Sequence, residues 1–323
     1  MRAILFDHPG GPEVLHLGDA PDPQPGPGEL LVRVRAAGVN RADLLQRIGK
    51  YPPPAYASPI LGLEIAGEVV EPAGEWQRGD RVMAVLTGGA YAELAKVPAD
   101  QALPIPGMFT FTQAAAIPEA WQTAYLNLFT LGSLHAGEHV LIHAAASGVG
   151  SAAVQLVRSA DAVVHATAGT PAKRDFVREL GAAQVISYHE TPFAEAVLEA
   201  TGGRGVDVVL DFIGAPYWND HMRVLSSGGR LLLIGSLGGM TGALDLSAIL
   251  TKSLTIRGTT LRRMPAPQRA ALAAAFAAYA LPRFADDTLR PVIDTVLPLA
   301  QAAEAHQRMA ANANIGKIIL SVD

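Results

Sequence analysis

Two hydrophobic rhythms divide the chain. In the middle third, short β-branched runs alternate with helical stretches, and segments 139–143, 162–167, 184–186, 206–211 and 230–234 read as strands. Between them lie helices such as 173–180, which stops at Gly181, a residue suited to the left-handed turn after a helix. Strict alternation of strand and helix predicts a parallel, doubly wound sheet. The apolar run 254–259 reads as its outer strand. The first third differs. Runs 30–34 and 63–70 alternate or stay apolar, and Gly79-Asp80 and Gly88-Gly89 supply turns. Fifteen of the 23 prolines fall in residues 1–118 and only three in 119–264. Proline donates no backbone hydrogen bond and sits at turns and sheet edges, so the first third predicts a loop-rich β domain. The last third opens with a helix, 268–281, that places Leu272, Phe276 and Tyr279 on one face, and closes with a strand, 317–322.

Composition narrows the function classes. The 323 residues suffice for about two domains. Twenty-five basic against 30 acidic side chains leave a net charge of −5, which supplies no footprint for a phosphate backbone, so no nucleic-acid partner is expected. Zero cysteines remove disulfides, thiolate zinc sites and cysteine nucleophiles together, and a cytoplasmic location is expected. The first residues hold only four apolar side chains in a row, too few for a signal peptide. The longest apolar run, 270–281, falls short of a membrane span, and no membrane contact is expected.

The most informative stretch runs from Val140 through Ala144-Ala145-Ala146-Ser147-Gly148-Val149-Gly150 to Ala153. A buried strand leads into small residues and then into a helix. A dinucleotide needs this sequence of elements: a tight turn, no bulk where backbone meets pyrophosphate, and free N–H groups at a helix N-terminus. The G-x-G-x-x-G pattern survives only as Ala145, Ser147 and Gly150, so its strand–helix context carries the reading. Two other readings compete: plain turn punctuation, and a hydrolase nucleophile elbow at Ser147. The elbow wants glycine where Ala145 and Val149 stand, and fits poorly. The end of the second strand, Ala166 to Thr170, lacks the acid that grips a ribose in NAD enzymes. Backbone N–H groups at Gly169 and Thr170, with Lys173 one turn on, suit a 2′-phosphate instead and favour NADPH. Lys173 taken alone is equally a solvated surface lysine.

The whole chain resembles the medium-chain dehydrogenase/reductase superfamily. It is most similar to the zinc-independent, zeta-crystallin-like quinone oxidoreductases, and within them to the p53-inducible branch. The similarity rests on Phe6-Asp7 with Pro9 to Glu13, Asn40 to Leu44 with Gln46-Arg47, Gly49 with Tyr51 to Pro54, Gln113 to Trp121, and Asn314 to Lys317. It implies an α/β fold. A discontinuous GroES-like catalytic domain, residues 1–121 and 264–323, surrounds an inserted Rossmann domain, 122–263, with the active site in the cleft. Zinc enzymes of the superfamily place cysteine where Asn40 stands and a His-Glu pair where Leu63-Glu64 stands. An amide and a leucine are not zinc ligands. His135, His139 and His143, spaced by four, are read as coincidence, because the apolar residues 140–142 make that segment a strand.

The resemblance also assigns roles. Asn40 and Tyr51 lie beside nicotinamide and substrate, Asn40 as a donor to a developing oxyanion and Tyr51 as proton donor or orienting group. Their bland alternatives are a turn amide and a packing aromatic. Thr123 contacts the nicotinamide side, in a helix expected to begin at Trp121, itself read as core. Tyr188 covers the adenine ribose and 2′-phosphate. Gly235, Ser236 and Leu237 stand at a strand end where doubly wound sheets place ligand contacts, though that loop is equally a flexible connection. Residues 312–317 return toward the cofactor, or Lys317 simply starts a strand. The expected function is NADPH-dependent, zinc-independent reduction of a quinone by hydride or one-electron transfer, in a homodimer. The alternatives are an enoyl or alkenal reductase and an NADPH-binding sensor or structural protein with little turnover.

Overall fold

The computed structural model describes residues 1–322. The chain divides into two compact units, one comprising residues 1–122 with the segment from Leu261 onward, the other Thr123–Thr260.

The second unit is built on a six-stranded sheet in the spatial order Gln184–Ile186, Val163–Thr167, His139–Ile142, Val206–Asp211, Leu225–Leu233, Thr255–Gly258, every pairing parallel. The first strand is central and the chain leaves it in opposite directions, so the strand order reverses between His139–Ile142 and Val206–Asp211. In such sheets the C-terminal ends at that reversal form the ligand-binding edge. The apolar runs read from the sequence are buried accordingly: Val140, Leu141, Ile142, Val208, Val209 and Leu210 are fully enclosed. Each such side chain contributes about 1.5–3 kcal/mol of burial.

The first unit carries a seven-stranded sheet. Its path runs Ile293–Pro298, Lys317–Ser321, Glu29–Gly38, Glu64–Glu71, Arg81–Val85, Ala102–Pro104, and Leu94–Pro98 pairs with Glu29–Gly38 outside that path. Its core gathers Leu30, Val32, Ile65, Val82, Ile318 and Leu320. The helix Ala266–Ala285 buries Leu272, Phe276 and Phe284 on one face, and Trp121 packs edge-on against Phe284 with ring centres 4.8 Å apart. One expected boundary is corrected. The helix holding Trp121 begins at Pro118, three residues earlier, because proline at the first helical position has no N–H to leave unsatisfied.

Candidate active site

In the second unit, the helix Gly148–Ser159 starts directly after the His139–Ile142 strand and its turn. Ser147 caps it, its Oγ accepting from the Gly150 N–H at 3.0 Å. That cap satisfies one of the helix's orphan donors and leaves the neighbouring N–H groups of the first turn for an anion. Gly150 has no room for a side chain: a Cβ would be driven into the Ala144 carbonyl oxygen and lie 2.6 Å from Ala145 Cα. Ala144 itself sits at φ +47°, a left-handed conformation that costs a non-glycine residue energy and sharpens the turn. Ser147, Gly148, Val149 and Gly150 therefore lie together as one cradle.

The next strand ends at Thr167 and leads to a second capped helix. Thr170 Oγ1 accepts from the Lys173 N–H at 3.3 Å at the start of Pro171–Glu179. A Cβ on Gly169 would stand 2.6 Å from the Tyr188 hydroxyl, so Gly169, Thr170, Lys173 and Tyr188 are brought to one corner. The structure adds a residue that sequence reasoning missed. Arg174 Nη1 donates to the Gly169 carbonyl at 2.7 Å, and its guanidinium lies 3.5 Å from the exposed Glu190. The signal was a second cation in the first turn of a capped helix.

Gly235, Ser236 and Leu237 are tied to the loop after Val206–Asp211. The Gly235 N–H donates to the Asp211 carbonyl, the Leu237 N–H to the Phe212 carbonyl at 2.9 Å, and the Gly238 N–H to that of Ile213 at 2.9 Å. These bonds oppose the reading of that loop as a flexible connection. Thr123 is buried, and its carbonyl accepts from Asn127 Nδ2 at 2.8 Å. The three spaced histidines go separate ways: His139 meets His165 at 2.9 Å, His143 meets His221 at 2.9 Å, and His135 is exposed.

The first unit holds a second polar constellation. Asn40 precedes the helix Arg41–Arg47. Its amide donates to Glu64 Oε1 at 2.8 Å and to the Gly38 carbonyl at 3.3 Å, and its Oδ1 accepts from Lys317 Nζ at 2.7 Å. The same ammonium meets Glu64 Oε1 at 2.6 Å and the Val39 carbonyl at 2.7 Å. Glu64 Oε2 accepts from the Glu119 N–H at 2.8 Å. Lys317 thus starts a strand and also neutralises a fully buried carboxylate, the condition for burying that charge.

Beneath it lies a one-way donor chain. Arg47 donates to His306 Nδ1 at 3.2 Å, and arginine cannot accept, so neutral His306 carries its proton on Nε2. That proton faces the Tyr91 hydroxyl at 3.3 Å, and Tyr91 donates to Asp43 Oδ2 at 3.0 Å. Asp43 also accepts from the N–H groups of Asn40 and Gly62. Burial pushes its carboxyl up to about 6 in spite of these donors, and burial pushes His306 down to about 3.

Tyr51 lies under the guanidinium of Arg262, whose Cζ is 5.4 Å from the ring centre. Arg262 is buried, donates from Nε to the Thr87 carbonyl at 2.8 Å, and leaves its Nη2 without a partner.

Family models match at residues 26–107, an alcohol dehydrogenase GroES-like domain, and at 148–278, a zinc-binding dehydrogenase. The quinone oxidoreductase of Sus scrofa is 35% identical over 99% of this chain and 97% of its own length. The chain belongs to the medium-chain dehydrogenase/reductase superfamily. Among solved structures, Escherichia coli quinone oxidoreductase complexed with NADPH superposes with a TM-score of 0.91 at 30% identity over the full length of both chains. The CurK enoyl reductase superposes with a TM-score of 0.89 at 26% identity, over 100% of this chain and 99% of that one.

The second family model carries zinc in its description, and the donor set of this member does not fit it. Leu63 offers no donor, and the oxygens of Asn40 and Glu64 are engaged by the Lys317 ammonium. Among the described residues no group of three or more His, Cys, Asp or Glu is disposed to hold a metal. A dinucleotide does fit this member of the superfamily, because Gly150 is hemmed in by backbone and the helix beyond it is capped. No helix among the described residues is long and apolar enough to cross a membrane.

Proposed function

We propose that this oxidoreductase reduces quinones at the expense of NADPH without a metal. The observation that carries the reading is the corner after the Val163–Thr167 strand, where Gly169 lies under Tyr188 and the strand end itself carries no acid. Two cations, Lys173 and Arg174, occupy the first turn of a capped helix, and the nearby Glu190 is exposed and paired with Arg174. A carboxylate there would repel a 2′-phosphate, whereas N–H groups and cations attract one. Ser147, Gly148, Val149 and Gly150 would hold the pyrophosphate. Gly169, Thr170, Lys173, Arg174 and Tyr188 would hold the adenosine 2′-phosphate. Thr123, Gly235, Ser236 and Leu237 would hold the nicotinamide side. When bound, NADPH supplies the reducing equivalent.

Asn40 and Tyr51 are the groups for the acceptor. The longer of the two Asn40 amide bonds, 3.3 Å to Gly38, is the one an acceptor oxygen can replace. Lys317 donating to the Asn40 oxygen polarises the amide and strengthens its remaining donor. Tyr51 is held by its guanidinium stack and orients a planar acceptor. An electron-poor quinone needs only this modest help. A second reading, reduction of an activated alkene, is favoured by the likeness to the CurK enoyl reductase. The cysteine-free composition suits a reducing cytoplasm.

Fluorescence titration is expected to show NADPH bound more tightly than NADH. Lys173→Glu should raise the Kd for NADPH by about 10–100-fold, equivalent to about 1.4–2.8 kcal/mol, while shifting NADH little. A preference for NADH would overturn the cofactor reading. Rates with a quinone panel set against an enone series then separate the two acceptor classes.

We also propose a homodimer through the outer strand Thr255–Gly258, which has a single neighbour in its sheet and is largely exposed. Leu246 and Leu250, exposed at 56% and 82%, precede it and add apolar surface. Light scattering on the eluting protein should give twice the chain mass, and Ile256→Pro should give the monomer. A monomeric wild type would defeat this proposal.

A further inference from the structure

Glu119 stands in the first turn of the helix Pro118–Tyr125, and nothing above uses its side chain. Its backbone N–H is anchored on Glu64 Oε2, one carboxylate away from the Asn40 amide. Its carboxyl makes no hydrogen bond or ion pair among the described residues. The residue is half-buried, and neither oxygen is among the enclosed polar atoms that lack a partner, so both reach solvent. Four elements bring charge toward it: Glu64 from the Glu64–Glu71 strand, Lys317 from Lys317–Ser321, Asp43 from the helix Arg41–Arg47, and Arg262 from the turn Leu261–Arg263. Two of these are anions that oppose ionisation, and two are cations that can receive the charge left behind. Arg262 in particular keeps Nη2 unpartnered while its guanidinium covers Tyr51.

We propose that Glu119 is the proton donor to the reduced acceptor. This rests on the acceptor site assigned above to Asn40 and Tyr51. Once the acceptor has gained a hydride equivalent from the nucleotide, one of its oxygens carries the negative charge. The Glu119 O–H bond breaks, a new O–H bond forms on that oxygen, and the electron pair stays on the Glu119 carboxylate, where the charges of Lys317 and Arg262 favour it. Solvent, which reaches the carboxyl, returns the proton. Overall one NADPH, one quinone and one proton give NADP⁺ and hydroquinone.

Burial, with Glu64 next in weight, pushes this carboxyl up to about 8, so it is protonated at neutral pH. A donor works only while protonated, so activity should fall as pH rises through that value. The test has two arms. In the free protein, infrared difference spectra should show a protonated-carboxyl C=O band that persists at pH 7, fades as pH rises past 8, and is absent in Glu119→Gln. In turnover, Glu119→Gln should lower kcat by about 10²-fold or more with little change in KM, and should lose the alkaline limb of the pH profile. Glu119→Asp, which keeps an acid on a shorter arm, should retain the limb at a reduced rate. NADPH affinity should be the same in all three proteins. A wild type that turns over quinone while Glu119→Gln keeps both its rate and its alkaline limb overturns this proposal alone, as does the absence of the band at pH 7. A wild type that reduces neither quinone nor enone overturns the assigned function, and this proposal with it.

Discussion

Lys317→Met is expected to lower the stability of the protein by about 3–5 kcal/mol, the usual consequence of removing one partner from a buried ion pair. The ammonium donates at 2.6 Å to a carboxylate that is fully enclosed, and to Asn40 and Val39 at 2.7 Å each. Without it the enclosed Glu64 carboxyl loses its counter-charge and keeps only the Asn40 amide and the Glu119 N–H as partners. Pairing the change with Glu64→Gln removes the stranded charge, so the double variant should recover most of the loss. Urea unfolding of the two single variants and the double variant measures this directly. A Lys317→Met protein within about 1 kcal/mol of the wild type would mean that the pair is solvated.

Gly150→Val should damage the second unit in two ways at once. Any side chain at this position must displace the Ala144 carbonyl and the Ala145 backbone, and backbone cannot rotate aside as a side chain can. The helix Gly148–Ser159 must then lift from the strand it packs against. We expect a loss of about 3 kcal/mol, the upper end for overpacking, and at least 10²-fold weaker binding of NADPH and NADH alike, because the cradle as proposed would hold the pyrophosphate common to both. Gly107→Ala is the control: an added Cβ there meets nothing within 4 Å, so stability and binding should hardly move. Retained nucleotide affinity in a folded Gly150→Val protein would remove the cradle from the site.

The doubly wound unit was legible because buried parallel strands are continuous apolar runs. Their limits shift by only a residue or two, apart from the strand ending at Leu233, which begins at Leu225 rather than 230. The cradle was legible because strand, small residues and helix follow one another within 15 positions. The helix at Pro118 was misplaced because Trp121 was the conspicuous residue, whereas the boundary is set by proline's tolerance of the first turn. Arg174 escaped notice because its role depends on the fold of its own side chain back to the Gly169 carbonyl.

The polar constellation around Asn40 belongs to a different kind of information. Asn40, Glu64 and Lys317 are far apart in the chain, and sheet register alone brings them together. Ile319 pairs with Gly38, and Ile65 with Ala37, so running each antiparallel strand on by one or two residues sets Lys317 and Glu64 beside Asn40. A shift of one residue in either pairing would turn the side chain to the other face and separate the charge from its partner. Local periodicity therefore determined the strands, the small-residue turn with its capped helix, and the acid-free strand end, since each is written in contiguous residues. Only the tertiary structure decided which ammonium neutralises Glu64, which guanidinium covers Tyr51, and that the Glu119 carboxyl stands among two anions and two cations. Those relations depend on register and burial, and neither is a property of any single stretch of sequence.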